Sequence, residues 1–455
     1  MRRLNPKFFF SFFLVLFLLG CKSEGKKADH KISETKTDQV DLTDDQLLDT
    51  VQKQTFDYFW DGAEPNSGLA RERLHMDDEY PTSPKNTVTT GGSGFGLMAI
   101  LVGVERGFIT RQQALERYEQ IVDFLEKADR FHGAWPHWLN GETGKVVPFG
   151  KKDNGGDLVE TAFLVQGLLT VSEYFKGGDE REEALVTRID ELWRDVEWDW
   201  YTQGGKDVLY WHWSPNYGWE MNFPVGGYNE CLIMYVLAAA SPTHSISKSV
   251  YEKGWARNGK IVSNDSLYGK ALVLDYYEHN DAAVGPLFWA HYSYLGLNPK
   301  GLKDQYADYW KLVKNHAIIH HEYAQENPKH FKGYGDSLWG LTSSYSMKGY
   351  AGHRPGNDLG VISPTAALSS FPYTPEASMK MLRYMYKNED SLIGKYGPYD
   401  AFSLEYKWYL PRYLAIDQGP IPVMIENYRT GLLWDLFMKN KDVKEGLDKL
   451  GFTNE

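Results

Sequence analysis

Six stretches of this 455-residue chain that are apolar on almost every side constrain its fold most strongly. Each stretch predicts a helix, and a helix without a polar face must be buried all round. Each also begins close to a glycine, and consecutive glycines of the set are 59 to 75 residues apart. The six glycines are Gly91, Gly155, Gly226, Gly285, Gly360 and Gly419.

A second set of six segments alternates with the first and is amphipathic. In "RQQALERYEQIVDFLEKA", for example, apolar residues recur with the helical period and the opposite face is charged. Six outer helices paired with six inner ones predict an all-α fold, an (α/α)6 toroid of six helical hairpins. The outer segments are 43–60, 110–128, 178–196, 247–255, 303–320 and 374–388.

Four acidic residues lie at the beginnings of these inner helices. The alternating chain direction brings all inner-helix N-termini to one end of the ring, so the acids are expected to surround one cleft. A carboxylate in an apolar stripe costs several kcal/mol unless it is paired, protonated or functional. The candidates for catalysis are Glu230, Asp417, Glu160 and Asp157.

Helix capping is the alternative explanation for each of these acids. Asp157 and Glu160 have the spacing of a capping box. Asn229 could cap the third inner helix, which leaves Glu230 as a first-turn acid favoured by the helix dipole. Asp417 precedes a helix that starts with proline, and it too could be only a cap.

Paired carboxylates in a cleft suit glycoside hydrolysis, which needs one protonated acid and one carboxylate that activates water or attacks. Apolar neighbours should raise the pKa of Glu230 and make it an acid. Helix amides should keep Asp417 ionised and make it a base. No cofactor or metal motif is recognised, since 91–96 matches no nucleotide loop and 320–330 matches no zinc helix. We therefore expect no cofactor and no metal.

The composition indicates the kind of ligand. A net charge of −12 without a basic patch disfavours nucleic acid. The chain has 15 Trp and 30 Tyr, whose flat rings are suitable platforms for sugars. Loops 131–156 and 199–227 lead into the acid-bearing helices, and their candidate substrate-binding residues, with one tyrosine that follows them, are Trp135, Trp138, Trp211, Trp213, Trp219 and Tyr228.

The N-terminal region predicts export. Residues 1–20 combine a basic start with an apolar run, as in a signal peptide. The run ends in Leu18-Leu19-Gly20-Cys21, which resembles the lipobox of bacterial lipoproteins and implies a lipid anchor at Cys21. A plain signal with a chance cysteine is the alternative. Residues 21–42 are expected to be a flexible tether and 43–455 the catalytic domain of a monomer, lipid-anchored to a bacterial membrane.

Seven stretches carry a family resemblance: "TFDYFW" (55–60), "NSGLARER" (66–73), "GGDLVETAFLVQGLL" (155–169), "NYGWEMNFPVGGYNE" (216–230), "LWGLTSS" (338–344), "ISPTAALSSFPYTPEASM" (362–379) and "YLAIDQGPIPVMIENYRTG" (413–431). They resemble the glycoamylase-like domain and, more narrowly, the bacterial endo-β-1,2-glucanases of glycoside hydrolase family 144. The resemblance implies a toroid, an inverting mechanism without metal, and essential acids at Glu160, Glu230 and Asp417, with Asp157 beside them. Trp339 and Arg71, which stand in matching stretches, complete the candidate substrate-binding set.

Two functions follow as hypotheses. The first is an exported enzyme that cleaves β-1,2-glucan internally, with exo-action or another β-glucan linkage as its variant. The second is a surface lipoprotein that binds glycans without cleaving them. Ser343 and Ser344 stand where many glycoamylase-like sequences have an acid, which argues against a glucoamylase activity.

Overall fold

Helices of an outer and an inner layer alternate along the chain in the computed structural model, which describes residues 42–80, 83–276, 284–388 and 390–454. The predicted signal, the lipobox cysteine and the tether up to Asp41 lie outside these ranges. The α-helices are α1 (Asp44–Trp60), α2 (Thr90–Glu105), α3 (Arg111–Leu125), α4 (Leu158–Phe175), α5 (Glu180–Arg194), α6 (Leu232–Ala240), α7 (Lys248–Val250), α8 (Tyr309–Glu326), α9 (Pro364–Leu368), α10 (Pro375–Asn388), α11 (Ala415–Gln418), α12 (Pro420–Arg429), α13 (Leu432–Lys439) and α14 (Lys441–Leu450).

The inner layer forms a ring, which confirms the predicted all-α toroid. Helix α2 packs on α4, α4 on α6, and α6 on the 3-10 turn Tyr292–Tyr294. Helices α9 and α12 follow, and α12 packs on α2 to close the ring. In the outer layer α1, α3 and α5 each begin with a complete capping box, so local sequence signals define these helix starts.

Glycine allows α2 and α4 to approach closely. A Cβ atom added at Gly94 would lie 2.2 Å from the carbonyl oxygen of Phe163, and one added at Gly167 would lie 2.3 Å from that of Gly94. Real Cβ atoms essentially never come so near. The glycine-rich start of the first inner helix therefore serves helix packing.

The fourth and fifth inner helices are shorter than predicted. The fourth consists of two 3-10 turns, Leu287–Ala290 and Tyr292–Tyr294, and the fifth is the five-residue α9. Side chains from other hairpins bind the fourth segment's carbonyls: Gln166 donates to Tyr292, and Asn427 donates to Leu295. These bonds replace the intrahelical ones of a regular helix.

The last predicted inner helix, 418–434, is in fact interrupted. Helix α12 ends at Arg429, and Gly431 adopts a left-handed φ of 78° before α13 begins. Helix α14 then packs on α6, where a Cβ at Gly446 would lie 2.6 Å from the Cβ of Ala240. Among the described residues no helix is both long enough and apolar enough to span a bilayer.

Short antiparallel strands tie the loops together. In the pair that matters most for the site, Asp157 lies opposite His212 and Gly156 opposite Trp213. The strands are β1 (Arg73–His75), β2 (Thr87–Thr89), β3 (Trp138–Asn140), β4 (Val146–Val147), β5 (Gly156–Asp157), β6 (His212–Trp213), β7 (Ser266–Leu267), β8 (Lys270–Ala271), β9 (Leu302–Lys303), β10 (Ser343–Ser344), β11 (Ala351–Gly352), β12 (Ile393–Gly394), β13 (Gly397–Pro398), β14 (Phe402–Ser403), β15 (Trp408–Tyr409), β16 (Arg412–Leu414) and β17 (Thr453–Asn454). They pair as β1–β16, β2–β3–β4, β5–β6, β7–β8, β9–β17, β10–β11, β12–β13 and β14–β15.

Candidate active site

Asp157 is the N-cap of α4 and is fully buried. Its Oδ1 accepts the Glu160 amide at 2.9 Å, and its Oδ2 accepts His137 Nδ1–H at 2.9 Å and Trp211 Nε1–H at 3.1 Å. Burial opposes ionisation, but the His137 hydrogen bond and the charges of His137 and His212 hold the pKa of Asp157 below its ordinary value. Asp157 is therefore both a cap and an ionised group of the site.

Glu160 does not complete the capping box. Its Oε2 accepts the amide of Gly91 in α2 at 2.8 Å, and its Oε1 lies 3.9 Å from His137 Nε2. A Cβ at Gly91 would lie 2.5 Å from that Oε2, so glycine is needed where the two helices meet. Burial raises the pKa of Glu160 to about 7, His137 opposes the rise and the charge of Asp157 adds to it.

Asp153 and two histidines belong to the same cluster, although the sequence analysis did not single them out. His212 Nε2 lies 3.3 Å from Asp153 Oδ2 and 3.7 Å from Asp157 Oδ2. Burial and then the charge of Asp157 raise the pKa of Asp153 to about 7. The available signal was the stretch "DNGGD", in which two acids flank the glycine pair.

His137 supplies positive charge to these acids. Burial opposes its protonation, but the charge of Glu160 and the hydrogen bond to Asp157 raise its pKa to about 9. His137, Asp153 and Asp157 place one possible metal-ligand atom each within 4.8 Å of one another. The hydrogen bond from a protonated His137 to Asp157 accounts for this proximity without an ion.

Glu230 lies in the turn before α6 and is only 8 % exposed. Asn229 Oδ1 accepts the amide of Cys231 at 2.9 Å, so the asparagine and not Glu230 caps this turn. Ser293 Oγ donates to the Glu230 carbonyl and accepts the amide of Ile233, which anchors the turn to the fourth inner segment. Burial, followed by the charges of Glu160 and Asp157, raises the pKa of Glu230 to about 7, the direction predicted from its apolar neighbours.

Asp417 lies in α11 and does not cap α12, whose N-cap is Gly419. Its Oδ1 lies 3.4 Å from the hydroxyl of Tyr292. Burial and the neighbouring charge of Asp400 raise the pKa of Asp417 well above its ordinary value. The prediction that helix amides keep Asp417 ionised is therefore wrong, because its partners are Tyr292 and Asp400 instead of backbone amides.

Tyr292 joins the acids of different hairpins into one site. Its ring packs against Phe95 and Phe288, each with ring centroids 5.0 Å away. Burial raises the pKa of its hydroxyl, and the charges of Asp417, Glu230 and Glu160 contribute to the rise. The fourth inner segment therefore lies between Asp417, which the Tyr292 hydroxyl contacts, and the turn of Glu230, which Ser293 binds. The sequence analysis missed Tyr292 because its segment resembles an ordinary apolar helix.

The predicted substrate-binding rings separate into two groups. Trp138, Trp211, Trp213 and Trp219 are partly exposed, and Arg71 is half-buried with its guanidinium bound to the carbonyl of Lys85. The other three rings are buried in the core, so they present no face to a ligand and the expectation of sugar contact is wrong for them. These are Trp135, Tyr228 and Trp339.

Each buried ring has a structural partner. Trp135 Nε1–H donates to the carbonyl of Leu125, and Trp339 Nε1–H to that of Ala377. The Tyr228 hydroxyl lies 3.1 Å from His316 Nδ1. Hydrogen bonding of the polar edge is what a buried aromatic requires.

Exposed rings that the sequence analysis did not propose lie beside the acids. Phe149 is 53 % exposed and stacks on His137 at a centroid distance of 4.2 Å. Phe223 is 43 % exposed and contacts Trp211 edge-on. Their exposure and their position against acid-binding side chains make them better candidates for sugar contact than the buried tryptophans.

Known proteins that are similar to this chain include a matching family and several close relatives. A family described as "Putative glucoamylase" matches residues 222–441. The structure of an endo-β-1,2-glucanase from Chitinophaga pinensis, in complex with sophorotriose and glucose, is 64 % identical, with a TM-score of 0.88 over 90 % of this chain and 99 % of that one. The structure of a putative glucoamylase from Bacteroides caccae is 61 % identical, with a TM-score of 0.89 over 91 % and 100 % of the two chains.

A curated relative from Parabacteroides distasonis, an exo β-1,2-glucooligosaccharide sophorohydrolase acting at the non-reducing end, is 44 % identical over 461 residues. The match covers 94 % of this chain, which spans only 62 % of that relative's length.

Fold, site and relatives together define a glycoside hydrolase built on an α/α toroid. Within that class the chain belongs to the glycoamylase-like family, in the group of glycoside hydrolase family 144.

Proposed function

We propose that this protein hydrolyses β-1,2-glucan internally, releasing short oligosaccharides with inversion at the anomeric carbon. The observation that carries the proposal is that the fourth inner segment contacts two of the acid-bearing segments. The Tyr292 hydroxyl lies 3.4 Å from Asp417, and the adjacent Ser293 binds the carbonyl of Glu230. The substrate comes from the relatives, two of which are named for β-1,2-linked glucose chains.

Glu230 is the proposed general acid. Its pKa of about 7 keeps it protonated in mildly acidic solution, where it can donate to the glycosidic oxygen. Asp417 is the proposed partner that takes a proton from the attacking water on the opposite face of the sugar. An inverting pair needs carboxyl groups about 6.5–9.5 Å apart, which residues from different hairpins can provide.

Glu160 and His137 are proposed to bind the sugar next to the scissile bond, and the fully buried Asp157 is proposed to hold His137 in place behind them. Their charges alternate, with a protonated His137 between the two acids. Such an arrangement offers both donors and acceptors to sugar hydroxyls. Phe149, stacked on His137, would cover the same sugar from the solvent side.

Endo-action is favoured over exo-action by the match in length. This chain covers 99 % of the Chitinophaga endo-glucanase chain but 62 % of the Parabacteroides exo-enzyme. Exo-release of sophorose is the second candidate, because that relative is still 44 % identical.

The experiment is to incubate purified protein with long β-1,2-glucan and to measure reducing ends and product lengths over time. Endo-action predicts a mixture of short oligosaccharides early in the reaction, whereas exo-action predicts disaccharide from the start. Glu230→Gln serves as the inactive control. Wild-type protein that binds the glucan but releases no more reducing ends than this variant would contradict the proposal and indicate a glycan-binding protein.

We also propose that Cys21 is lipidated after cleavage of residues 1–20, since Leu18 to Cys21 resemble a lipobox. In bacteria, Cys21→Ser should move the protein from the membrane fraction to the soluble fraction with unchanged activity. A variant that still sediments with membranes would contradict the lipid anchor.

A further inference from the structure

Asp400 is a second buried carboxyl group beside Asp417. It lies between β13 and β14 and is 3 % exposed. Its Oδ2 accepts the amide of Tyr345 at 3.0 Å, and its own amide donates to the carbonyl of Arg412 at 3.0 Å. The carboxyl groups of Asp400 and Asp417 lie within hydrogen-bonding distance of each other.

Each carboxyl group has one buried oxygen that receives no hydrogen bond from the residues that the structure describes. These atoms are Oδ1 of Asp400 and Oδ2 of Asp417. A buried polar atom without a hydrogen-bond partner destabilises the folded state. Two carboxylates in contact cannot both ionise when buried, whereas one proton held between them removes one of the two charges and gives the groups a common hydrogen bond.

The surroundings decide which of the two groups is ionised. Burial and the charge of Glu72 oppose the ionisation of Asp400, whereas the Tyr345 amide and the positive charge of Arg73 favour it. Apart from Asp400, the described residues give the Asp417 carboxyl group only the long contact to the Tyr292 hydroxyl, at 3.4 Å.

The pKa values have the same order as these contacts. Burial raises the pKa of Asp400 to about 6, whereas burial and the charge of Asp400 raise that of Asp417 well above its ordinary value. The hydroxyl of Tyr350 is the remaining titratable group that acts on both. The shared proton therefore rests on Asp417 and the negative charge on Asp400.

We propose that Asp400 is the final proton acceptor when the attacking water is deprotonated. Asp417 accepts the proton from water and at the same time passes its own proton to Asp400. This inference rests on the proposed function. In the step, one O–H bond of water breaks and its proton goes to Asp417. The proton already held by Asp417 moves to the Asp400 carboxylate. The water oxygen bonds to the anomeric carbon, the glycosidic C–O bond breaks, and the leaving oxygen takes the proton of Glu230.

The test compares Asp400→Asn, Asp417→Asn and the double variant in the full chain. Asp400→Asn should lower kcat about 10²- to 10⁴-fold, the usual worth of general base catalysis. Residues that act as one unit are not additive, so the double variant should be no slower than Asp417→Asn. The acidic limb of the kcat/KM profile should move in Asp400→Asn, because the charge must then form on Asp417, without the Tyr345 amide and Arg73 and without the neighbouring charge of Asp400.

Asp358→Asn is the matched control. Asp358 is also buried and accepts one backbone amide, that of Gly360 at 2.8 Å, together with the hydroxyls of Tyr334 and Tyr323. The Asp358→Asn variant should be less stable than wild type, and the acidic limb of its kcat/KM profile should stay at the wild-type pH. An Asp400→Asn variant that behaves like this control, or a double variant in which the two losses multiply, would overturn the proposal.

A second readout is independent of the substrate. Infrared difference spectra at pH 7, wild type minus variant, should show a protonated carboxyl group removed by Asp417→Asn and an ionised one removed by Asp400→Asn. The reverse assignment, or ionised carboxylates in both spectra, refutes the shared proton. The predicted spectra in a protein that does not cleave β-1,2-glucan would instead refute the proposed function and leave the shared proton intact.

Discussion

Glu230→Gln should abolish activity and, at alkaline pH, stabilise the protein. The pKa of Glu230 is raised from an ordinary 4.5 to about 7 by burial. Each pKa unit is worth about 1.4 kcal/mol, so ionising this group in the folded protein costs about 3 kcal/mol more than in the unfolded chain. Glutamine keeps the shape and removes that cost.

The sign follows from proton counting. Between pH 4.5 and 7 the folded state binds more protons at Glu230 than the unfolded state does, so its contribution to stability falls as the pH rises. Glu230→Gln should therefore match wild type near pH 4 and exceed it by up to about 3 kcal/mol at pH 8.

The assay is urea denaturation of both proteins at pH 4, 6 and 8. Glu426→Gln is the matched control. Glu426 is also buried, but the hydrogen bond from Arg106 lowers its pKa despite the opposing effect of burial. That variant should be destabilised at neutral pH, and the difference should shrink towards low pH. A Glu230→Gln difference that does not change with pH would refute the argument that burial sets this pKa.

Three further predictions concern the site. Gly91→Ala should lower kcat strongly while changing Tm little, because its Cβ would lie 2.5 Å from Glu160 Oε2; retained kcat would contradict the role of that contact. Trp138→Ala should raise KM with little change in Tm, whereas Trp135→Ala should lower Tm because the ring is wholly buried; thermal scans and initial rates separate the two. Tyr292→Phe should change the acidic limb of the pH–rate profile, since the hydroxyl contacts Asp417; an unchanged profile would place Tyr292 in packing alone.

The first three outer helices and the sixth were predictable because their signals are local, whereas the fifth begins at Tyr309, six residues after its predicted start. The capping box of Thr110 and Gln113, for example, lies at the predicted start of α3 and satisfies its first amides. The fourth inner segment was not predictable in detail. Its carbonyls bind Gln166 and Asn427, side chains that are more than 120 residues away along the chain.

In the site, too, features that depend on local sequence were predictable, and features that depend on distant residues were not. The acids at helix beginnings could be identified from their glycine neighbours, and the raised pKa of Glu230 followed from its apolar neighbours. The environment of Asp417 could not, because it depends on Asp400 from another loop. Trp135 and Trp138 are three residues apart in one loop, and only the tertiary fold buries one and exposes the other.

The stereochemistry of the first product tests the central claim most directly. Proton NMR of wild-type protein acting on β-1,2-glucan should show the α-anomer at the new reducing end before mutarotation, as an inverting pair of Glu230 and Asp417 requires. The β-anomer as the initial product would contradict that pairing, because retention needs a carboxylate that attacks the sugar in place of one that activates water.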